Sequence, residues 1–188
     1  MRKFYELSTL ITEKDVYILE YKAPEAYDEY GNGEPIFPGS PPIQLFQKYK
    51  THRKTDYLAG IFPFSIISTR FKQSLIDSAV THIEFHPVQL ICQKTKAVDN
   101  SYSLLNILDN VSCFDRERSE FEPGRFRKDV VTKVEKLVVL EDKIVDRDLV
   151  QMEEISSLIL ISTRLRTIIE SAGITGVQFL MLEDFWMA

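Results

Sequence analysis

The chain has 188 residues, 44% of them hydrophobic and 27% charged, with a formal net charge of −5. That length can bury roughly 70% of its unfolded surface, so a sizeable core is expected in one domain or in two small lobes. An acidic total does not advertise a phosphate-binding surface, because nucleic-acid binders carry a basic patch, and it suits a basic protein partner better than a polyanion.

The two cysteines, Cys92 and Cys113, stand in no CxxC or Cys/His spacing. They read as reduced, buried thiols in a cytoplasmic protein. The opening MRKFYELSTL meets Glu6 before any apolar stretch develops, unlike a secretory signal. The longest apolar runs, such as Leu158 to Ile161, are far too short to span a bilayer, so no membrane contact is expected.

In chain order, residues 1–22 read as strand material, with Phe4-Tyr5 and then Val16-Tyr17-Ile18-Leu19 ending at Tyr21. Residues 23–42 crowd Pro, Gly and acidic residues around Tyr27, Tyr30 and Phe37, which disfavours backbone ladders. The segment is a surface loop or an acidic, tyrosine-rich recognition loop around Glu25, Asp28, Glu29 and Tyr30.

A β-type run over Pro63 to Ile67 then stops at Ser68, whose hydroxyl suits a helix N-cap. Phe71, Leu75, Ser78 and Ala79 follow on one helical face. The stretch Ile67 to Val88 returns as Ile161 to Leu182 without a gap: Ile-Ser-Thr-Arg recurs outright, and Phe71, Lys72, Leu75 and Phe85 match Leu165, Arg166, Ile169 and Phe179.

In the second copy Leu158 to Ile161 is the strand, Ser162 the cap, and Gly173 the left-handed stop that only glycine adopts cheaply. Ala79 holds that place in the first copy, so its helix should end differently or under strain. Each copy closes on an alternating run, Ile83, Phe85 and Pro87 or Val177, Phe179 and Met181, expected to be the buried face of a strand.

Between the copies Val88 to Cys92, Tyr102 to Leu108, Val111 to Phe114 and Val130 to Leu140 are strand-like. The fold class is therefore α+β: a mixed or antiparallel sheet with two equivalent strand-helix-strand units from an internal repeat. The expected organisation is one domain over 1–188, with an amino-terminal region 1–55, a first repeat unit 61–91, a β-rich insert 92–154 and a second unit 155–182.

Few constellations could carry chemistry. A strand would point His82, Glu84 and His86 to one side, and three such ligands would suit zinc with an open position. The second copy has Gly176, Gln178 and Leu180 there, and the plainer expectation is a solvated strand face. The duplicated Ser-Thr-Arg sits at a helix start, where an anion would be welcome, but duplication favours a cap with an outward-facing Arg. Nucleophile elbow, Gly-rich phosphate loop and HExxH are all missing, so no catalytic or cofactor-binding residue is assigned.

From Cys113 to Glu122 opposite charges alternate between two aromatic residues. Such ion pairs contribute individually about 0–1 kcal/mol on a solvated loop. The same segment would serve as a protein-contact edge, where Arg and aromatic anchors concentrate binding energy.

Four pieces, in order, resemble a known family: Ile66 to Lys72; Glu84-Phe85-His86-Pro87-Val88; Leu104 to Leu108 leading into Asp115-Arg116-Glu117-Arg118-Ser119-Glu120-Phe121; and Ala172 to Phe179. Together they are similar to the immunity-protein family of bacterial polymorphic toxin systems, immunity family eleven, first catalogued as a domain of unknown function. The first helix lacks the glycine the family has at its end, and residues 23–42 have no counterpart in it.

The resemblance implies a cytoplasmic, non-catalytic protein that binds and neutralises a cognate toxin domain stoichiometrically. An acidic protein would associate fast with a basic toxin. The partner-binding residues expected are Asp115, Arg116, Glu117, Arg118 and Glu120, with Glu25, Asp28, Glu29 and Tyr30 second. Two other classes stay open: a small metal-dependent hydrolase using His82, Glu84 and His86, and a self-assembling structural or regulatory subunit, a homo-oligomer.

Overall fold

The computed structural model describes residues 3–23, 33–36, 39–48, 52–60, 65–108, 110–125, 128 and 130–187. The described residues are mostly sheet with two α-helices, an α+β protein with mixed sheets. The chain forms two compact units, Thr9–Leu108 with Ile168–Val177, and Met1–Ser8 with Asp109–Thr167 and Gln178–Ala188. This division crosses the four segments expected from the sequence, because strand pairing gathers distant stretches of chain into each unit.

The first strand, β1 (Phe4–Thr9), belongs chiefly to the second unit. The first unit is built on β2 (Tyr17–Ile18), β3 (Glu20–Lys22), β4 (Ile43–Gln47), β5 (Tyr57–Gly60), β6 (Ser65–Ser68), helix α1 (Thr69–Asp77), β7 (Ile83–Cys92) and β8 (Val98–Ile107). Its seven strands run in the order β2-β5-β6-β8-β7-β4-β3. Leu19 alone separates β2 from β3, so one stretch pairs with β5 through Tyr17 and Ile18 and with β4 through Glu20 to Lys22. The two ends of the sheet are thereby stitched into a nearly closed barrel. Ile18, Ile43, Leu45, Leu58, Ile66 and Leu90, all essentially buried, fill its core.

The second unit holds β9 (Asn110–Val111), β10 (Glu120–Pro123), β11 (Val131–Lys136), β12 (Leu149–Met152), β13 (Ile159–Ser162), most of helix α2 (Thr163–Ser171) and most of β14 (Val177–Met181). A five-stranded sheet runs β14-β1-β13-β12-β9, while β10 and β11 make a separate ribbon. Cys113, Val134, Ile144, Val150, Met152 and Leu160 are its buried core.

Both helices begin and end as their residues dictate. Ser68 Oγ accepts from the Phe71 amide at 3.2 Å, and Ser162 Oγ from the Leu165 amide at 3.3 Å, the N-caps expected from the sequence. At the far ends Val80 N–H donates to Leu75 O and Ala79 N–H to Ile76 O, while Ile174 N–H donates to Ile169 O and Gly173 N–H to Glu170 O. These are paired Schellman closures, and each needs a left-handed residue just past the helix. Gly173 takes it at φ +64°, and Ala79 takes it at φ +55° despite its Cβ. The first helix therefore ends in the same way as the second, with the alanine strained.

Each unit also arranges its strands around its helix alike. In the first, β8 lies between β6 and β7, with β5 beyond β6; in the second, β1 lies between β13 and β14, with β12 beyond β13.

Candidate functional site

The alternation over Ile83 to Pro87 does not mark the buried face. From His86 onward the buried set is His86, Val88, Leu90 and Cys92, with Pro87 exposed. Phe85 is half-buried beneath the Lys72 ammonium, 4.8 Å from the ring centre, as Phe179 is beneath the Arg166 guanidinium at 5.6 Å. The strand face is thus neither solvated nor a ligand set. His82 stands outside β7, in a left-handed conformation at φ +57°, and its carbonyl accepts from the Leu108 amide.

Glu84 and His86 hold a loop. Glu84 Oε1 accepts from Ile36 N–H at 2.5 Å and from Asn106 Nδ2 at 2.7 Å, and Asn106 Nδ2 also donates to Glu34 O. His86 Nε2 lies 3.0 Å from Pro41 O. Both side chains are spent on backbone that carries no ladder of its own. Among the described residues no group of three or more His, Cys, Asp or Glu is placed to hold a metal ion.

The repeated Ser-Thr-Arg is an ion-pair node in each unit, with an acid the sequence reading missed. Asp56 accepts from Ser68 Oγ at 2.7 Å, Arg70 Nη2 at 2.5 Å, Thr175 N–H at 2.8 Å and Thr175 Oγ1 at 2.7 Å. Asp148 accepts from Ser162 Oγ, and its other oxygen lies 3.5 Å from Arg164 Nη1. Each acid immediately precedes the strand that pairs beside the capped one, and its carbonyl takes the amide of the capping serine. Burial alone would raise the Asp56 carboxyl, but the Arg70, Ser68 and Thr175 donors outweigh it and hold it down to about 2. The anion that a helix start and an arginine would recruit is supplied by the chain itself.

The segment from Cys113 to Glu122 divides by role. Asp115 is buried: one carboxylate oxygen accepts from Glu117 N–H at 3.0 Å and Arg118 N–H at 2.9 Å, the other from Arg118 Nε. The Arg118 guanidinium holds its carboxyl below the usual range. Arg116 lies over the rings of Phe114 and Phe121, at 5.9 and 5.4 Å, and donates to Lys128 O. Those rings meet edge to face at 5.0 Å. Asp115 shapes the turn, and Arg116, Glu117, Arg118 and Glu120 are the members at the surface. Glu25, Asp28, Glu29 and Tyr30 lie outside the described residues.

Both cysteines are buried free thiols. Burial, with Glu154 nearby, pushes the Cys113 thiol up to about 12, which removes it as a nucleophile at neutral pH. A cleft of about 290 Å³ is lined by Lys22, Ala23, Pro41, Pro42 and Gln44, of which only Lys22 ionises. No helix among the described residues is long and apolar enough to cross a membrane.

Two compact units of sheet and helix, with Asp56, Asp115, Asp148, Glu84 and His86 engaged in caps, a turn and a loop anchor, define an α+β protein. The chain belongs to the Immunity protein family (Imm11), whose model matches residues 8–184, all but the extreme ends. A search of the curated proteins returned no match.

Proposed function

We propose that this chain is an immunity protein that binds a cognate toxin domain one to one and blocks it by occupation, without turnover. Family membership over residues 8–184 is the observation that carries this reading. The net charge of −5 supports it, because a negative field speeds encounter with a basic toxin. The site of action is the cytoplasm of the producing cell, within a polymorphic toxin system. Toxin contacts fall on Arg116, Glu117, Arg118 and Glu120, held by the Asp115 turn, and on the acidic stretch 25–34.

The scaffold descends from one duplicated strand-helix-strand unit. The recurring Asp-Ser-Arg node, the two Schellman closures, the cation over Phe85 or Phe179 and the similar strand orders support that descent.

Co-expression with the toxin domain encoded beside it tests the reading. Growth is restored, and the two chains co-purify in equal amounts. Growth arrest in the presence of abundant, folded protein would sink it for that pair.

A further inference from the structure

The second unit displays an aromatic side chain that its own packing has no use for. Trp186, the single tryptophan of the chain, is 67% exposed. It does not sit on loose chain: Met187 and Val134 exchange both backbone hydrogen bonds, at 2.9 and 3.1 Å, as an antiparallel bridge to β11. Phe185 and Met187 pack against the buried core. The in-out-in alternation of an extended segment therefore turns Trp186 outward.

The same alternation sets what surrounds it. Val134 points inward opposite Met187, so its neighbours Lys133 and Glu135 emerge on the outer face of β11. Lys133 donates to Glu122 Oε1 at 3.1 Å and Glu135 Oε1 at 2.7 Å, so this cation is already shared by two carboxylates. Glu183 and Asp184, both exposed, immediately precede the Phe185-Trp186 step.

An exposed indole costs free energy in water, and its face attracts cations. Tryptophan is also the residue most enriched at interface hot spots, and carboxylates at the rim choose the sign of the partner.

We infer that the Trp186 face, bounded by Glu135, Glu183 and Asp184, is a docking surface for an arginine- or lysine-bearing segment of a partner protein. A guanidinium or ammonium stacks on the indole, and flanking cations meet the carboxylates. The inference rests on the toxin-binding reading and names the surface and the partner's charge, which that reading leaves open.

Two arms test it. In the first, the full chain is titrated with a hexaarginine peptide while the emission of its single tryptophan is followed. The emission should change saturably at about 0.01 M salt and far less at about 0.15 M, where the Debye length falls from about 30 Å to about 8 Å. Hexaglutamate should do nothing. The triple variant Glu135→Gln, Glu183→Gln, Asp184→Asn should bind hexaarginine about tenfold more weakly. Glu13→Gln, Glu34→Gln, Glu141→Gln, which removes equal charge elsewhere, should bind nearly as the natural chain. Unchanged emission, or equal weakening by both triples, overturns the inference.

The second arm uses the neighbouring toxin domain. Trp186→Ala should keep its melting temperature and lose tenfold or more in affinity, as hot-spot truncations do. Undiminished affinity overturns the surface while the toxin-binding reading stands. If the natural chain gives no protection, that reading fails, and the peptide arm still decides the surface.

Discussion

Asp56→Ala removes, in one step, the acceptor shared by Ser68 Oγ, the Thr175 amide and hydroxyl, and the Arg70 guanidinium. A typical intramolecular hydrogen bond contributes about 1 kcal/mol net, and a half-exposed ion pair about 0–1 kcal/mol. Three neutral donors and Arg70 would sum to about 3–4 kcal/mol, but the exposed ones regain water, leaving about 2–3 kcal/mol. Asp148→Ala removes the Ser162 hydroxyl bond and the longer Arg164 pair, which together contribute about 1–2 kcal/mol. For a chain of this size each kcal/mol moves the melting temperature by roughly 2–4 °C.

Asp56→Asn adds a pH test. The folded carboxyl lies at about 2, below its unfolded value, so its ionisation stabilises the fold above about pH 4. That contribution is lost as pH falls from about 4 to about 2. Unscreened it would reach about 2.4 kcal/mol, and solvent around the half-exposed Arg70 cuts it to about 1 kcal/mol. Urea unfolding of the natural chain, Asp56→Asn, Asp56→Ala and Asp148→Ala at pH 7, 4 and 2.5 reads both effects. The role of Asp56 is refuted if Asp56→Ala costs less than about 1 kcal/mol at pH 7. It is equally refuted if the gap between natural chain and Asp56→Asn stays constant down to pH 2.5.

Ala79→Gly should stabilise by about 0.5–1 kcal/mol, since relief of a left-handed alanine is about 1–2 kcal/mol and glycine's extra chain entropy returns about half; a lower melting temperature would contradict it. Gly176→Ala places a Cβ 2.5 Å from Thr55 Cβ and from Tyr57 O at a φ of +79°, and should cost about 3 kcal/mol or more by calorimetry, with little soluble protein as the extreme outcome. Glu84→Ala should cost about 2–3 kcal/mol and release the Ile36 amide to fast hydrogen exchange; retained protection there would refute the loop-anchor role. Glu117→Lys with Glu120→Lys should weaken toxin binding tenfold or more without lowering the melting temperature, read by titration calorimetry with the neighbouring toxin domain.

What the sequence shows clearly is local. Ser68 and Ser162 cap their helices because one hydroxyl answers one free amide, and Gly173 ends a helix for a reason carried by a single residue. The two units resemble each other in the sequence over the strand, cap and helix. The partners of those elements are not legible, because Asp56 and Asp148 stand many residues from Ser68 and Ser162 and no local period links them. His82, Glu84 and His86 look like a ligand set only if the strand starts one residue early; the left-handed turn at His82 breaks the trio. Glu84 and His86 then read as solvated only if the loop over them is ignored, and a loop's landing place is a long-range fact. Trp186 gave no signal either, since only its extended packing between Phe185 and Met187 turns it outward.

The strand orders also set a clock. β13 lies between β1 and β12, with Phe4 opposite Ser162, so the first strand made must wait for one near the end. The barrel unit in turn includes Ile168–Val177. At about 5–20 residues per second, roughly 10–35 s of synthesis pass before either unit has all its pieces. Until then β1 is an unpaired hydrophobic edge, and a ribosome stalled before Val177 releases a chain that can seal neither unit.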